Sequence, residues 1–117
     1  MKATKVYYRI HSDEDIKNTK ISMFEIKGLV FTPNVTHVRV AMVSPDMSND
    51  AIFEYFNMGE GINQAFADKV RKTPNLRHTS MSVGDVIVQA DDRVFVCADC
   101  GWNELTNVSP DFREIWK

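Results

Sequence analysis

Cysteine is scarce in this chain, with two among 117 residues, and so is glycine, with five. Two cysteines do not make the disulfide framework of a small secreted domain. Five scattered glycines leave no phosphate-cradling loop. Long apolar runs are missing as well. The longest, such as Val86-Ile87-Val88 and Val94-Phe95-Val96-Cys97-Ala98, fall far short of the roughly 20 residues that span a bilayer. The first residues, Met1-Lys2-Ala3-Thr4-Lys5-Val6-Tyr7-Tyr8-Arg9, carry a charge every few positions, where a signal peptide needs an unbroken apolar core. A soluble, cytoplasmic protein is therefore expected. Charge of one sign is absent too: 14 Lys+Arg against 16 Asp+Glu leave a formal net charge of −2. A protein that binds nucleic acid by backbone neutralisation is usually clearly basic, and a mimic of DNA strongly acidic. Repeats, linkers and low-complexity tracts are lacking.

What is present suffices for one packed core: 44% hydrophobic residues, including 10% aromatics, in a length typical of one domain. Residues 3–11 alternate, with Val6, Tyr8 and Ile10 on one face and Lys5, Tyr7, Arg9 and His11 on the other. Period two with aromatic and β-branched residues predicts a half-buried strand. A polar loop over 12–18 and a short helix over 20–27 follow, the helix resting on the Ser22 to Glu25 capping-box spacing. Gly28 stops it, and Pro33-Asn34 marks a turn. A second strand is expected over 35–43, with Val35, Val38, Val40, Met42 and Val43 as its apolar side.

Ser48-Asn49-Asp50 supplies the cap of a helix through Asn57, whose buried stripe is Ile52, Tyr55 and Phe56. After Gly59-Glu60-Gly61, a second amphipathic helix over 62–72 is expected to bury Ile62, Ala65, Phe66 and Val70, and Thr73-Pro74-Asn75 closes it. In Ser82-Val83-Gly84-Asp85, glycine is expected to provide a backbone angle that other residues avoid, and the Asp85 carboxylate to satisfy turn amides. A strand over 86–90, a two-residue connection at Asp91-Asp92 and a partner strand over 93–98 make a hairpin. After a bend at 99–102, Glu104-Leu105 forms a short edge piece, and Ser109-Pro110-Asp111 starts a terminal helix. The whole predicts a single α+β domain over 1–117, a mainly antiparallel sheet with two to four helices packed on one side.

Several groups of residues can carry chemistry. Cys97-x-x-Cys100-Gly101 has zinc-knuckle spacing, but it is half a site, and His11, His37 and His78 are scattered singly. A redox role needs the first thiol at a helix N-terminus, and Cys97 ends a strand. The plainer expectation is that Cys97 packs as a small apolar residue. The stretch 69–78 concentrates Lys69, Arg71, Lys72, Arg77 and His78. These can meet phosphates or an acidic partner, or simply sit where a helix C-terminus favours cations. Tyr7, Tyr8, Tyr55, Phe56, Trp102 and Trp116 can stack bases but occupy mostly core-type positions, Trp102 being the one expected to be partly exposed. Ser80, Ser82 and His78 lie close together without a nucleophile-elbow pattern. No catalytic set and no cofactor is expected.

The run Arg77-His78-Thr79-Ser80-Met81-Ser82-Val83-Gly84-Asp85-Val86-Ile87-Val88, continued by Asp92 through Leu105, resembles the C-terminal core of YodL-like domains. These show a Ser-hydrophobe-Ser-Val-Gly-Asp-Val element, a hairpin and a Gly-aromatic-x-x-hydrophobe ending. Ala51-Ile52-Phe53-Glu54-Tyr55-Phe56-Asn57 is similar to the helix that precedes that core, so the resemblance covers about residues 35–105. It implies a small phage or mobile-element accessory protein of the bacterial cytoplasm, with no catalytic residues to carry over. Cys100 is not part of the family pattern. The stretch 58–76 is longer than the family's usual connection and is expected to be an insertion available to a partner. Ser80, Ser82 and Asp85 are expected first to tie down the turn, or else, with Trp102 and Asn103, to line a recognition edge.

Three readings from different classes follow. The favoured one is a non-enzymatic module that binds and modulates a host bacterial protein. The others are a nucleic-acid-binding domain using Lys69, Arg71, Lys72 and Arg77, and a small metal or redox protein at Cys97 and Cys100.

Overall fold

The computed structural model describes residues 3–10, 31–59, 61–74, 76, 78–98 and 101–105. The expected loop 12–18, the helix 20–27 and the terminal helix after Ser109 lie outside the described residues, as do His11, Arg77, Cys100 and Trp116.

Among the described residues five strands form one antiparallel sheet: β1 (Thr4–Arg9), β2 (His37–Val43), β3 (Val86–Val88), β4 (Val94–Ala98) and β5 (Gly101–Leu105). Their order is β2-β1-β3-β4-β5. Two helices, α1 (Asn49–Tyr55) and α2 (Gln64–Lys72), lie between β2 and β3 in the chain. The expected α+β architecture is the one observed. Ser48 caps α1 by accepting from the Ala51 N–H at 3.1 Å, and Asn63 caps α2 by accepting from Phe66 N–H at 2.9 Å. Each side chain satisfies one of the orphan donors at a helix start.

Both helices press on one sheet face. Ile52, Phe56, Phe66 and Val70 meet Val6, Tyr8, Val40, Met81 and Ile87 there. The stripe of α2 differs from expectation. Ala65 is exposed and Ala67 is buried, because the face that packs on the sheet runs through Phe66, Ala67 and Val70, at i, i+1 and i+4. The helix starts at Gln64, after the Asn63 cap, and leaves Ile62 outside it.

The other face also carries a core. Tyr7 packs with Phe31, Val86, Val88, Val94 and Val96, its ring edge-on to Phe31 at 5.0 Å. The first strand is therefore buried on both faces, Lys5 included, and is not the half-covered strand that alternation suggests.

β2 departs from its predicted pattern for a geometric reason. Val6 opposes Ala41, and Tyr7 opposes Arg39, so Val40 is the extra residue of a β-bulge. The bulge shifts the alternation by one. Val40 goes into the helix-side core, while Met42 is 55% exposed. His37, expected between the apolar positions, is fully buried instead. Its Nε2 donates to the Gly84 carbonyl at 2.8 Å, and Nδ1 lies 2.8 Å from Thr36 Oγ1. Val35 precedes the strand in the turn at Asn34 and is exposed.

The β3–β4 hairpin closes with three residues, not two. Gln89 N–H donates to the Arg93 carbonyl and Asp92 N–H to the Gln89 carbonyl, both at 2.9 Å. Asp92 takes the left-handed conformation, φ 70°, that such loops demand and that aspartate tolerates. The end of the chain's described part is a five-residue edge strand, longer than the expected Glu104-Leu105 piece.

Candidate functional site

The turn before β3 is built as the sequence suggests. Gly84 has φ 93°, and a Cβ there would lie 3.0 Å from Arg9 Cδ, so both the backbone angle and the neighbour call for glycine. Asp85 is completely buried. Its Oδ1 accepts from the Arg9 N–H at 2.8 Å and its Oδ2 from the Ser82 N–H at 2.7 Å. The carboxylate thus fastens the turn to the end of β1. Gly84 N–H donates to the Cys97 carbonyl and Cys97 N–H to the Asp85 carbonyl, extending the β3–β4 ladder through the turn.

His78 and Tyr8 enclose this carboxylate. His78 Nδ1 donates to the Ser80 carbonyl at 2.6 Å and stands 3.9 Å from Asp85 Oδ2. The Tyr8 hydroxyl donates to the Thr79 carbonyl at 2.7 Å, and its ring lies 5.2 Å from that of His78. Burial pushes the Asp85 carboxyl well above the usual carboxylate range, against the lowering effect of the Arg9 and Ser82 N–H groups and the Arg9 charge. Burial also lowers the His78 imidazole, opposed by its bond to Ser80. Both Asp85 oxygens face main-chain donors. That is the arrangement of a turn clamp, whereas a general base must face the proton it removes.

The structure thus gathers His78, Ser80, Ser82 and Asp85 at one corner. The other expected site residues lie elsewhere. Lys69, Arg71 and Lys72 occupy the last turn of α2. Lys69 Nζ donates to the Val40 carbonyl at 3.2 Å, and Arg71 pairs with Asp68 at 3.5 Å on the surface. Trp102 and Asn103 are neighbours on β5 and so face opposite sides of the sheet. Trp102 Nε1 donates to Asp50 Oδ1 at 3.0 Å, and Cys97, its cross-strand partner, is buried. Among the described residues no group of three His, Cys, Asp or Glu side chains is placed to hold a metal ion. Among them, too, no helix is long and apolar enough to cross a membrane.

A surface that residue patterns do not reveal lies beside β2. A groove of about 450 Å³ is bounded by Ala41–Ser44 and Met47 on the strand side and by Tyr55, Phe56, Gly61, Asn63 and Phe66 on the helix side. Gly61 is required here, since a Cβ would lie 2.6 Å from Tyr55 Cδ2. The stretch 58–76 therefore does two things. Its helix α2 buries Phe66, Ala67 and Val70, and its start lines the groove. Among the described residues β2 is an edge of the five-stranded order, so a strip of its main chain borders this groove.

No protein-family model matches the chain, and neither does any curated protein or solved structure.

Proposed function

We propose that this protein is a non-enzymatic interaction module, an accessory protein of a phage or mobile element. In this reading it binds and modulates a host bacterial protein in the cytoplasm by taking an extended apolar segment along the β2 edge. The observation that carries the reading is the open groove beside an edge strand. An edge offers main-chain N–H and C=O groups to a partner strand, and a neighbouring pocket selects a side chain. Met42 and Met47 border the groove, and methionine's flexible, polarizable side chain adapts to varied apolar shapes. Lys69 over the carbonyl of the bulged Val40 blunts the middle of the edge, as native edge strands are commonly protected from indiscriminate pairing. Among the described residues nothing pairs with the outer side of the stretch after the bulge, beside the groove, which suits a partner that also brings an apolar side chain. The family resemblance of residues 77–105 supports the phage or mobile-element setting.

The test is Ser44→Arg. Ser44 is exposed at the groove's rim, where its Oγ accepts from the Asp46 N–H at 3.3 Å, so the substitution is expected to cost no more than about 1 kcal/mol. It places a long cation across the groove and is expected to reduce capture of a host protein from lysate by about tenfold or more. Undiminished capture with the folded variant would contradict the reading.

A further inference from the structure

On the opposite side of α1 from the groove, a recess of about 190 Å³ is lined by Asp50, Phe53, Cys97, Ala98, Gly101 and Trp102. It is smaller than the ~300–1,000 Å³ of sites that enclose drug-sized ligands, so it fits a headgroup. Phe53 and Trp102 stand nearly perpendicular, 82° apart with centroids at 6.3 Å, and form two walls of a corner. Phe53 is 38% exposed, so its ring is open to solvent at the recess. The Asp50 carboxylate closes the corner, oriented by the indole N–H at 3.0 Å. A Cβ on Gly101 would meet nothing within 4 Å, so the space above that position is open.

We infer that this recess binds an alkylammonium group. The chemistry is specific to that class. Aromatic faces attract a cation through the ring quadrupole, tryptophan most strongly. Donation of the indole N–H to a carboxylate enriches the ring in electrons and deepens that attraction. The Asp50 carboxylate supplies one negative charge, and among the described residues the lining includes no cation. An anion would meet the carboxylate at close range, and a neutral apolar group would gain contact area without charge pairing. A free quaternary ammonium compound and the methylated lysine of a protein share this headgroup.

The inference is independent of the β2 groove, and its test is direct. In the 117-residue chain carrying Trp116→Phe, the remaining indole N–H resonance reports on Trp102. Titration with choline is expected to give a saturable shift, and 3,3-dimethylbutanol, its uncharged isostere, to bind about tenfold or more weakly. Asp50→Asn keeps an acceptor for the indole and removes the charge, and Phe53→Leu removes one wall; each is expected to weaken choline by about fivefold. Tighter binding of acetyl-trimethyllysine amide than of choline would assign the group to a protein side chain, and weaker binding to a free compound. No saturable shift with either cation at concentrations up to about 50 mM, a range that covers even weak sites, would overturn the inference. Equal binding of choline and its neutral isostere would do so too.

Discussion

Replacing Asp85 by alanine is expected to lower the free energy of unfolding by about 2–4 kcal/mol, read from urea denaturation. The carboxylate accepts two main-chain N–H groups, from Arg9 and Ser82, at 2.8 and 2.7 Å in a fully buried position. Each donor left without a partner costs about 1–3 kcal/mol, offset in part by removing a buried acid. The two bonds join the turn to β1, so the loss also loosens the attachment of the 78–85 segment to the sheet. A change under about 0.5 kcal/mol, the range of an ordinary surface substitution, would mean that Asp85 holds nothing together.

The same residue gives a pH dependence with a definite sign. Burial raises its folded-state value above the ordinary 3.8, so the folded protein binds that proton more tightly than the unfolded chain. The associated stability is fully present below pH 3.8 and is lost as pH rises through the raised folded value. Asp85→Asn lacks this titration and is expected to flatten that fall. His78 acts in the opposite sense. Its value lies below 6.5 in the fold, so its contribution is present above that pH and is lost on acidification through the lowered value. The two slopes are separated by repeating the titration in His78→Gln.

The largest single loss is expected from Phe56→Ala, about 3–5 kcal/mol. Phe56 is 2% exposed. Its ring packs 5.2 Å from those of both Phe66 and Tyr55, and its carbonyl accepts from Met81 N–H at 3.2 Å. One residue therefore joins α1, α2 and the segment leading to the turn, and lines the groove as well. Phe56→Leu refills most of the cavity and is expected to recover more than half of the loss. A loss below about 1 kcal/mol for the alanine variant would contradict this account of the core.

Local chemistry was the legible part of the fold. Ser48 and its helix, Gly84 with its positive φ and the Asp85 clamp follow from the few residues involved, since caps and turns are satisfied by near neighbours. The hairpin strands were legible for the same reason. The bulge at Val40 was not, because it is defined by pairing with β1, some 30 positions earlier in the chain, and it alone moves Met42 to the surface. His37 reads as a polar strand residue until the Gly84 carbonyl is brought to it by β1 and β3. Burial of Tyr7 depends on Phe31 packing against its ring and on Val86, Val88, Val94 and Val96 of the neighbouring strands sharing that face. The groove was the least legible feature. It arises between an edge strand and a helix whose separation no periodicity encodes, and only the close pairing of Gly61 with Tyr55 marks it locally.

The most direct measurement of the central division of labour, a clamped turn that holds shape and a groove that makes contact, is amide hydrogen exchange of the protein with and without its captured partner. Protection concentrated in 41–47 and 55–66, with 78–85 equally slow in both states, is the predicted result. New protection centred on 78–85 with 41–47 unchanged would show the polar turn to be the contact surface and contradict the account.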